Sequence, residues 1–338
     1  MKKTIYRAGA VLSVAAILAA CNGEEQQTSE AEGATPIRVA IDTAAGGSFQ
    51  IRAAHANGDF AERDLAVSIS NFAYGIDTVN AMLTEQTDTG LAADYALLNA
   101  LNKGDFVVVS SLTGSDETLN VLQHTEILAV EDVKKPADIK GKKIGVAKGT
   151  VSEYQWSRYL EYVGIAEDDV KFVPFSTPDE AIVGVKKGDI DVVLGTGALV
   201  DKFKSIDGVH QIDTLDSVED LQLGSYLVVD REYAEANTQA VGHLIEGIAE
   251  GITYVEENPD GVAEIAYNDL KIPKEDVLRD LERQNFVLGF TQQDYEHLEE
   301  MKDYLLARGI LDEDYDLADK LYLTPAREVI PEKVTYTE

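Results

Sequence analysis

The chain has 338 residues, with 61 acidic against 29 basic side chains, a formal net charge of −32 and a single cysteine. That balance excludes nucleic-acid binding, because a phosphate backbone would be repelled and no basic patch compensates. One thiol forms no intrachain disulfide. The five histidines (His55, His124, His210, His243 and His297) are scattered without metal-ligand spacing, so neither a metal nor a cofactor is expected.

At the N-terminus, Lys2, Lys3 and Arg7 precede an apolar stretch of 13 residues, Ala8 to Ala20. A charged start, a short apolar run and small residues before a cleavage point make a secretory signal over residues 1–20. The run is shorter than the ~18 residues a permanent membrane span needs. Leu18-Ala19-Ala20-Cys21 resembles a bacterial lipobox, which implies acylation of Cys21, a new N-terminus there, and an extracytoplasmic body anchored to the lipid bilayer. An ordinary signal peptide that happens to contain a cysteine is the alternative. Cleavage removes three basic residues and no acidic one, taking the charge to −35. Such a surface suits solubility in a saline or alkaline medium, or attraction of a cationic ligand.

Residues 21–35 are rich in Glu, Gln, Ser and Gly and read as a flexible tether. The globular part begins with the apolar strand Pro36–Ile41. Strands and helices then alternate, which predicts a parallel sheet with helices on both faces. An internal repeat runs through this region. Asp77–Leu91 matches Glu180–Leu194 at a constant offset of 103, each copy a helical pattern, a polar turn, an acidic residue (Asp88, Asp191) and a short strand. The same offset pairs Phe72 with Phe175, and a nearby one pairs Arg38–Ile41 with Lys143–Val146. Duplicated lobes explain this better than the shared grammar of β-α-β units.

In open α/β sheets, ligands bind beyond the carboxyl ends of the strands. The loops there give the candidate lining of a cleft between the lobes. In the first lobe these are Ser48, Phe49 and Gln50, then Ala73 and Tyr74, then Asp94 and Tyr95. In the second they are Gly149, Thr150 and Val151, then Ser176 and Thr177, then Thr196 and Gly197.

Ala137–Val146 followed by Gly149-Thr150 resembles the solute-binding proteins of ABC importers, of the nitrate/sulfonate/taurine type. Gly58–Leu65, Lys187–Val193 and Tyr226–Val229 fit the same pattern. The resemblance implies an α/β protein of two Rossmann-like lobes with a ligand cleft between them, the type II periplasmic-binding fold. Lobe 1 would hold residues 36–118 and 226–338, and lobe 2 residues 119–225. It further implies a monomer, not an enzyme, that closes on a small solute and presents it to a membrane permease. Thiamine-pyrimidine synthases resemble the same fold group, so an enzyme, a pyrimidine-precursor binder and a lipid-anchored receptor stay as alternatives.

Gly149-Thr150 before a helix offers free backbone N–H groups and so an anion site. Thr150-x-x-Glu153 also matches a capping box, with Glu153 as the box partner. Asp94 could receive an ammonium group with Tyr74 or Tyr95 packed on it, or simply cap the following helix. Both sharp readings together describe an aminosulfonate such as taurine. Lys148 could add charge beside the anion loop, Phe49 and Gln50 could cover an apolar ligand body, and Tyr226, at the return crossover, could sense closure. Trp156 and Tyr159 are read as packing residues, as are Leu298, Met301 and Leu305 of the helical segment Asp294–Ala307.

Overall fold

The computed structural model describes residues 33–43, 48–113, 125–218, 221–282 and 284–337. Cys21, the export segment and most of the expected tether lie outside the described residues. The chain opens with β1 (Thr35–Asp42), α1 (Phe49–Asn57), β2 (Leu65–Phe72), α2 (Gly75–Leu83), β3 (Thr89–Ala93), α3 (Asp94–Leu101) and β4 (Phe106–Thr113). It continues with β5 (Glu126–Ala129), β6 (Lys143–Ala147), α4 (Val151–Tyr162), β7 (Lys171–Phe175), α5 (Pro178–Lys187), β8 (Val192–Gly195), α6 (Ala198–Lys204) and β9 (His210–Thr214). The last part holds β10 (Ser225–Asp230), α7 (Arg231–Ala236), α8 (Thr238–Glu257), α9 (Pro259–Leu270), α10 (Lys274–Leu281), β11 (Phe286–Gly289), α11 (Gln292–Ala307) and α12 (Thr324–Val329).

Two sheets result, ordered β11-β4-β10-β3-β1-β2 and β7-β6-β8-β5-β9. Each belongs to one α/β lobe. The sheets are mixed, not parallel as the alternation predicted. β1 runs parallel to β2 and β3, and β6 parallel to β7 and β8, whereas β10 and β5 run antiparallel to both their neighbours. The reason is connectivity. β5 and β10 are the strands that follow a passage from the other lobe. A chain arriving from the cleft side enters the sheet at the carboxyl ends of its strands and must run the opposite way.

The repeat is visible in three dimensions. β1-α1-β2-α2-β3 and β6-α4-β7-α5-β8 occupy the same places in their sheets, with the antiparallel strand next to β3 and to β8. The acidic residue each copy carries before its third strand now has a physical role. Asp88 Oδ2 accepts the N–H of Arg38 at 2.8 Å, and Asp191 Oδ2 accepts the N–H of Lys143 at 2.9 Å. Each carboxylate satisfies a backbone donor one residue before the pairing of β1 with β3, or of β6 with β8, begins at Val39–Thr89 and Ile144–Val192.

The helices fix the strand ends. α8 lies so close on α1 that a side chain at Gly251 would collide with the Gln50 carbonyl, and this holds the helix carrying Ser48 and Gln50 against the first lobe. Leu298, Met301 and Leu305 of α11 are buried with α3 and β10. Trp156 and Tyr159 are fully buried in the second lobe, where Trp156 Nε1–H donates to the Gly145 carbonyl at 3.0 Å and Tyr159 O–H to Asp213 at 2.8 Å. Both are core residues with satisfied polar ends. Among the described residues no helix is long and apolar enough to cross a membrane.

Candidate functional site

Where the carboxyl ends of the two sheets face each other, a cavity of about 240 Å³ opens. Of the residues expected there, Ser48, Gln50, Tyr74, Thr150, Val151 and Thr196 line it. Ser48 takes a left-handed backbone conformation (φ 53°), a costly state for a residue with a side chain. The conformation turns the chain sharply from the end of β1 into α1, so Ser48 and Gln50 face the cavity. Tyr74 leads into α2, its N–H held by Asp77 at 3.2 Å. Burial, with Asp77 and Glu180 nearby, pushes its phenol far above the ordinary range, so it stays a neutral donor.

The other expected residues are placed elsewhere, for identifiable reasons. Phe49 is buried among Ala53, Val255, Val262 and other apolar side chains on the far side of α1, and is no cover for a ligand. Tyr226 is fully buried at the centre of the first sheet, its ring 6.2 Å from that of Phe290, and senses nothing in the cleft. Thr177 caps α5, accepting the Glu180 N–H at 3.2 Å. Gly197 lies against α10, where a Cβ would come within 2.7 Å of both Asp280 carboxylate oxygens. Gly149 (φ 77°) forms the turn before α4 and faces Ile76.

Asp94 is the largest correction. Its carboxylate is fully buried and already committed, accepting the N–H of Gly224 at 3.1 Å and that of Tyr95 at 2.7 Å, and pairing with His297 Nε2 at 2.7 Å. Burial opposes charge on His297, but the hydrogen bond and charge of Asp94, helped by Asp294 and Glu300, outweigh it and raise the imidazole pKa. The pair supports the fold beneath the cleft and leaves no room for a ligand ammonium.

Glu153 departs from the expected box. Thr150 Oγ1 accepts the N–H of Ser152 at 3.1 Å, not that of Glu153, and donates to the Ala147 carbonyl at 2.7 Å. Glu153 Oε2 reaches one residue further back, to the Gly149 N–H at 2.9 Å, and accepts the Tyr95 O–H at 2.7 Å. Tyr95 belongs to α3 in the first lobe, so this hydrogen bond crosses the cleft. Arg279 to Asp201 at 2.8 Å, Arg308 to Glu167 at 2.5 Å and the edge-to-face pair Tyr154–Tyr304 at 4.8 Å also join the lobes. The lobes are closed on the cavity.

Sequence reasoning missed several lining residues. Asp42, at the very end of β1, was legible in principle as the first position past the apolar run. Phe175, the end of β7, was noticed only as part of the repeat. Phe286 and Asn285 arrive through β11, which pairs with β4 from far along the chain, and no local pattern marks them. Among the described residues no lysine or arginine lines the cavity, and Asp42 is its only charged side chain. Burial pushes the Asp42 carboxyl up to about 7, against the pull of the Arg52 guanidinium. Lys148 is absent from the lining. The rest is apolar, aromatic, hydroxyl or amide, a surface suited to holding a small organic molecule.

A family model described as "NMT1/THI5 like" matches residues 48–262. A candidate binding protein of Brucella abortus (strain 2308) is 26% identical over 242 residues, covering 71% of this chain and 73% of its own. Among solved structures, the alkanesulfonate-binding protein of Xanthomonas axonopodis pv. citri bound to MOPS superposes with a TM-score of 0.74 at 18% identity, covering 85% of this chain and 98% of that one. The periplasmic aliphatic sulphonate binding protein of Escherichia coli gives 0.70 at 18% identity, over 85% and 92%. A desulfurization enzyme shares the fold at a TM-score of 0.63 and 12% identity, covering 87% of this chain and 99% of that one. At such identities these likenesses establish the two-lobed periplasmic-binding fold and leave activity to the site.

Proposed function

The chain belongs to the NMT1/THI5-like family, and on that footing we propose that it is the extracytoplasmic solute-capture subunit of an ABC importer, tethered to the membrane through an acylated Cys21. Its solute is a small organic molecule of the sulfonate class, delivered to a permease as a closed, liganded protein. The observation that carries this reading is the closed cavity of about 240 Å³ between the strand ends of two duplicated lobes. A ligand touching both walls stabilises the closed form through contacts the open form lacks, and that difference is what a permease can read.

The sulfonate class is supported by the two binding proteins named above and by the wall of the second lobe. There Thr150, Ser152 and Thr196 line the cavity, the Thr150 hydroxyl held by the Ala147 carbonyl, and Val151 opens α4. The Gly149 and Ser152 N–H groups are taken by Glu153 and Thr150, so an oxyanion here rests on the start of α4 at Val151 and on the side chains of Ser152 and Thr196, without an arginine. Binding suits this lining better than turnover, since a lone carboxylate among amides, hydroxyls and rings makes no nucleophile–base pair.

A thermal-shift panel of taurine, alkanesulfonates, nitrate, benzoate and aminopyrimidines tests the proposal. A ligand at ~100 times its dissociation constant stabilises by ~2.7 kcal/mol, a rise of several degrees. Stabilisation by sulfonates and not by the other classes is expected. A response confined to aminopyrimidines would replace sulfonate with a pyrimidine precursor, and silence from folded, ligand-free protein would sink the capture role.

A further inference from the structure

We infer that Asp42 and Gln50 form a cation-recognising subsite at the first-lobe end of the cavity, so that the captured solute carries an ammonium group. This rests on the capture reading above and narrows its substrate class from sulfonates in general to those that also bear a positive nitrogen.

Three independent observations converge. The first is placement. Asp42 ends β1, lines the cavity with 9% of its surface exposed, and is the only charged side chain of the described lining. Its counterpart at the end of the matching strand β6 is Ala147. The carboxylate is therefore not part of the duplicated scaffold, unlike Asp88 and Asp191, which both copies keep for a backbone N–H.

The second is an acceptor without a donor. Gln50 is 3% exposed and lines the same cavity, and its Oε1 has no hydrogen-bond partner among the described residues. A buried carbonyl oxygen left unpaired costs about 1–3 kcal/mol, so a group supplying N–H donors gains by meeting it. A carboxylate and an amide oxygen in one cavity call for a donor with several N–H bonds and a positive charge. Tyr74 lines the same first-lobe wall and Phe175 the second-lobe wall, so two aromatic rings border the space such a cation would occupy.

The third is the electrostatic cost of burying the Asp42 carboxylate. Burial disfavours the Asp42 charge more than Arg52 favours it. Arg52 is shared, acting on Asp42 while also meeting Asn71 Oδ1 at 2.5 Å and Asp269 at 3.8 Å. A bound ammonium adds to the counter-charge that Arg52 supplies from within the lobe. The net charge of −32 adds a field that gathers cations toward the protein.

The test is calorimetric titration of the purified protein with taurine, with ethanolamine, and with propane-1-sulfonate, which puts a methyl where taurine has its ammonium. Taurine is expected to bind at least tenfold tighter than propane-1-sulfonate. In Asp42→Asn that preference disappears, and in Gln50→Leu it falls several-fold. Melting curves at pH 8 report folding separately: Asp42→Asn without ligand melts no lower than the parent, because the substitution removes a buried charge. Equal affinity for taurine and propane-1-sulfonate in the parent, or unchanged taurine binding in Asp42→Asn, overturns the subsite and leaves solute capture standing. Silence toward all three ligands from folded, ligand-free protein overturns the subsite, and if the wider panel is silent too, the capture reading falls with it.

Discussion

The two lobes descend from one plan, and their differences sit at the cavity. Asp88 and Asp191 perform the same backbone task in both. At the ends of the first strands the copies diverge: the first lobe places the carboxylate of Asp42, the second the methyl of Ala147 and the hydroxyl of Thr150. The starts of the third helices diverge as well. Asp94 in α3 is buried against His297, whereas the matching residue before α6 is Gly197, with the Asp280 carboxylate of α10 packed on it. Both helix starts therefore meet a carboxylate, one from within the lobe's own repeat and one from across the cleft. The scaffold is shared; polarity and closure were written onto it afterwards.

That contrast can be broken by substitution. The largest effect is expected for Asp94→Ala, which leaves His297 buried without its partner and costs about 3 kcal/mol or more in chemical denaturation. Asp280→Ala, at the more open counterpart, should cost under about 1 kcal/mol and act on closure. Equal losses at the two sites would show that both carboxylates serve folding alone.

A smaller effect belongs to the hydrogen bond between Tyr95 and Glu153. Tyr95→Phe removes a donor to a carboxylate that bridges the lobes, worth about 1.5 kcal/mol, so the closed form becomes roughly tenfold less favoured. Small-angle scattering of the ligand-free variant should show a larger radius of gyration, while its melting temperature barely changes. An unchanged scattering profile would mean that the outer contacts, Arg279–Asp201 and Arg308–Glu167, hold the lobes unaided.

The most graded effect is with pH. His297 has a raised pKa in the folded state, so its contribution is full below its unfolded value near 6.5 and is lost as pH rises through the folded value. Asp42, raised from 3.8 to about 7, acts in the same direction between those limits. Stability should therefore decline from pH 4 to 7 through Asp42 and continue to decline above 6.5 through His297. Asp42→Asn should flatten the lower limb only. A melting temperature that climbs between pH 5 and 8 would contradict both assignments.

Much of the fold was legible in the chain, because β-α-β periodicity is local and was written twice. The offset of 103 marks equivalent helices and strands in the chain itself, and the repeat sets the lining loops at matching strand ends. The direction of β5 and β10 was not legible: orientation in a sheet depends on where the chain comes from, and that is set by the path between lobes. Within the cleft loops, Ser48, Gln50, Tyr74, Thr150, Val151 and Thr196 line the cavity because each lies at or just past a strand-to-helix turn. Phe49 was misassigned because adjacent residues on a helix point to different sides, and Asp94 because its partner His297 is 203 positions away.

The alternation of elements, the duplication, the acidic surface and the family resemblance are all carried by neighbouring residues or by composition, and so are readable along the chain. Which carboxylate is available depends on contacts between segments far apart in the chain. Asp94 and Asp42 both follow short apolar strands. One is sealed by a distant histidine and two backbone N–H groups, and the other lines a cavity shared with Gln50, whose amide oxygen has no partner among the described residues. Packing between remote segments sets that difference, because a charge survives in the interior only where its surroundings, or a ligand, supply what water did.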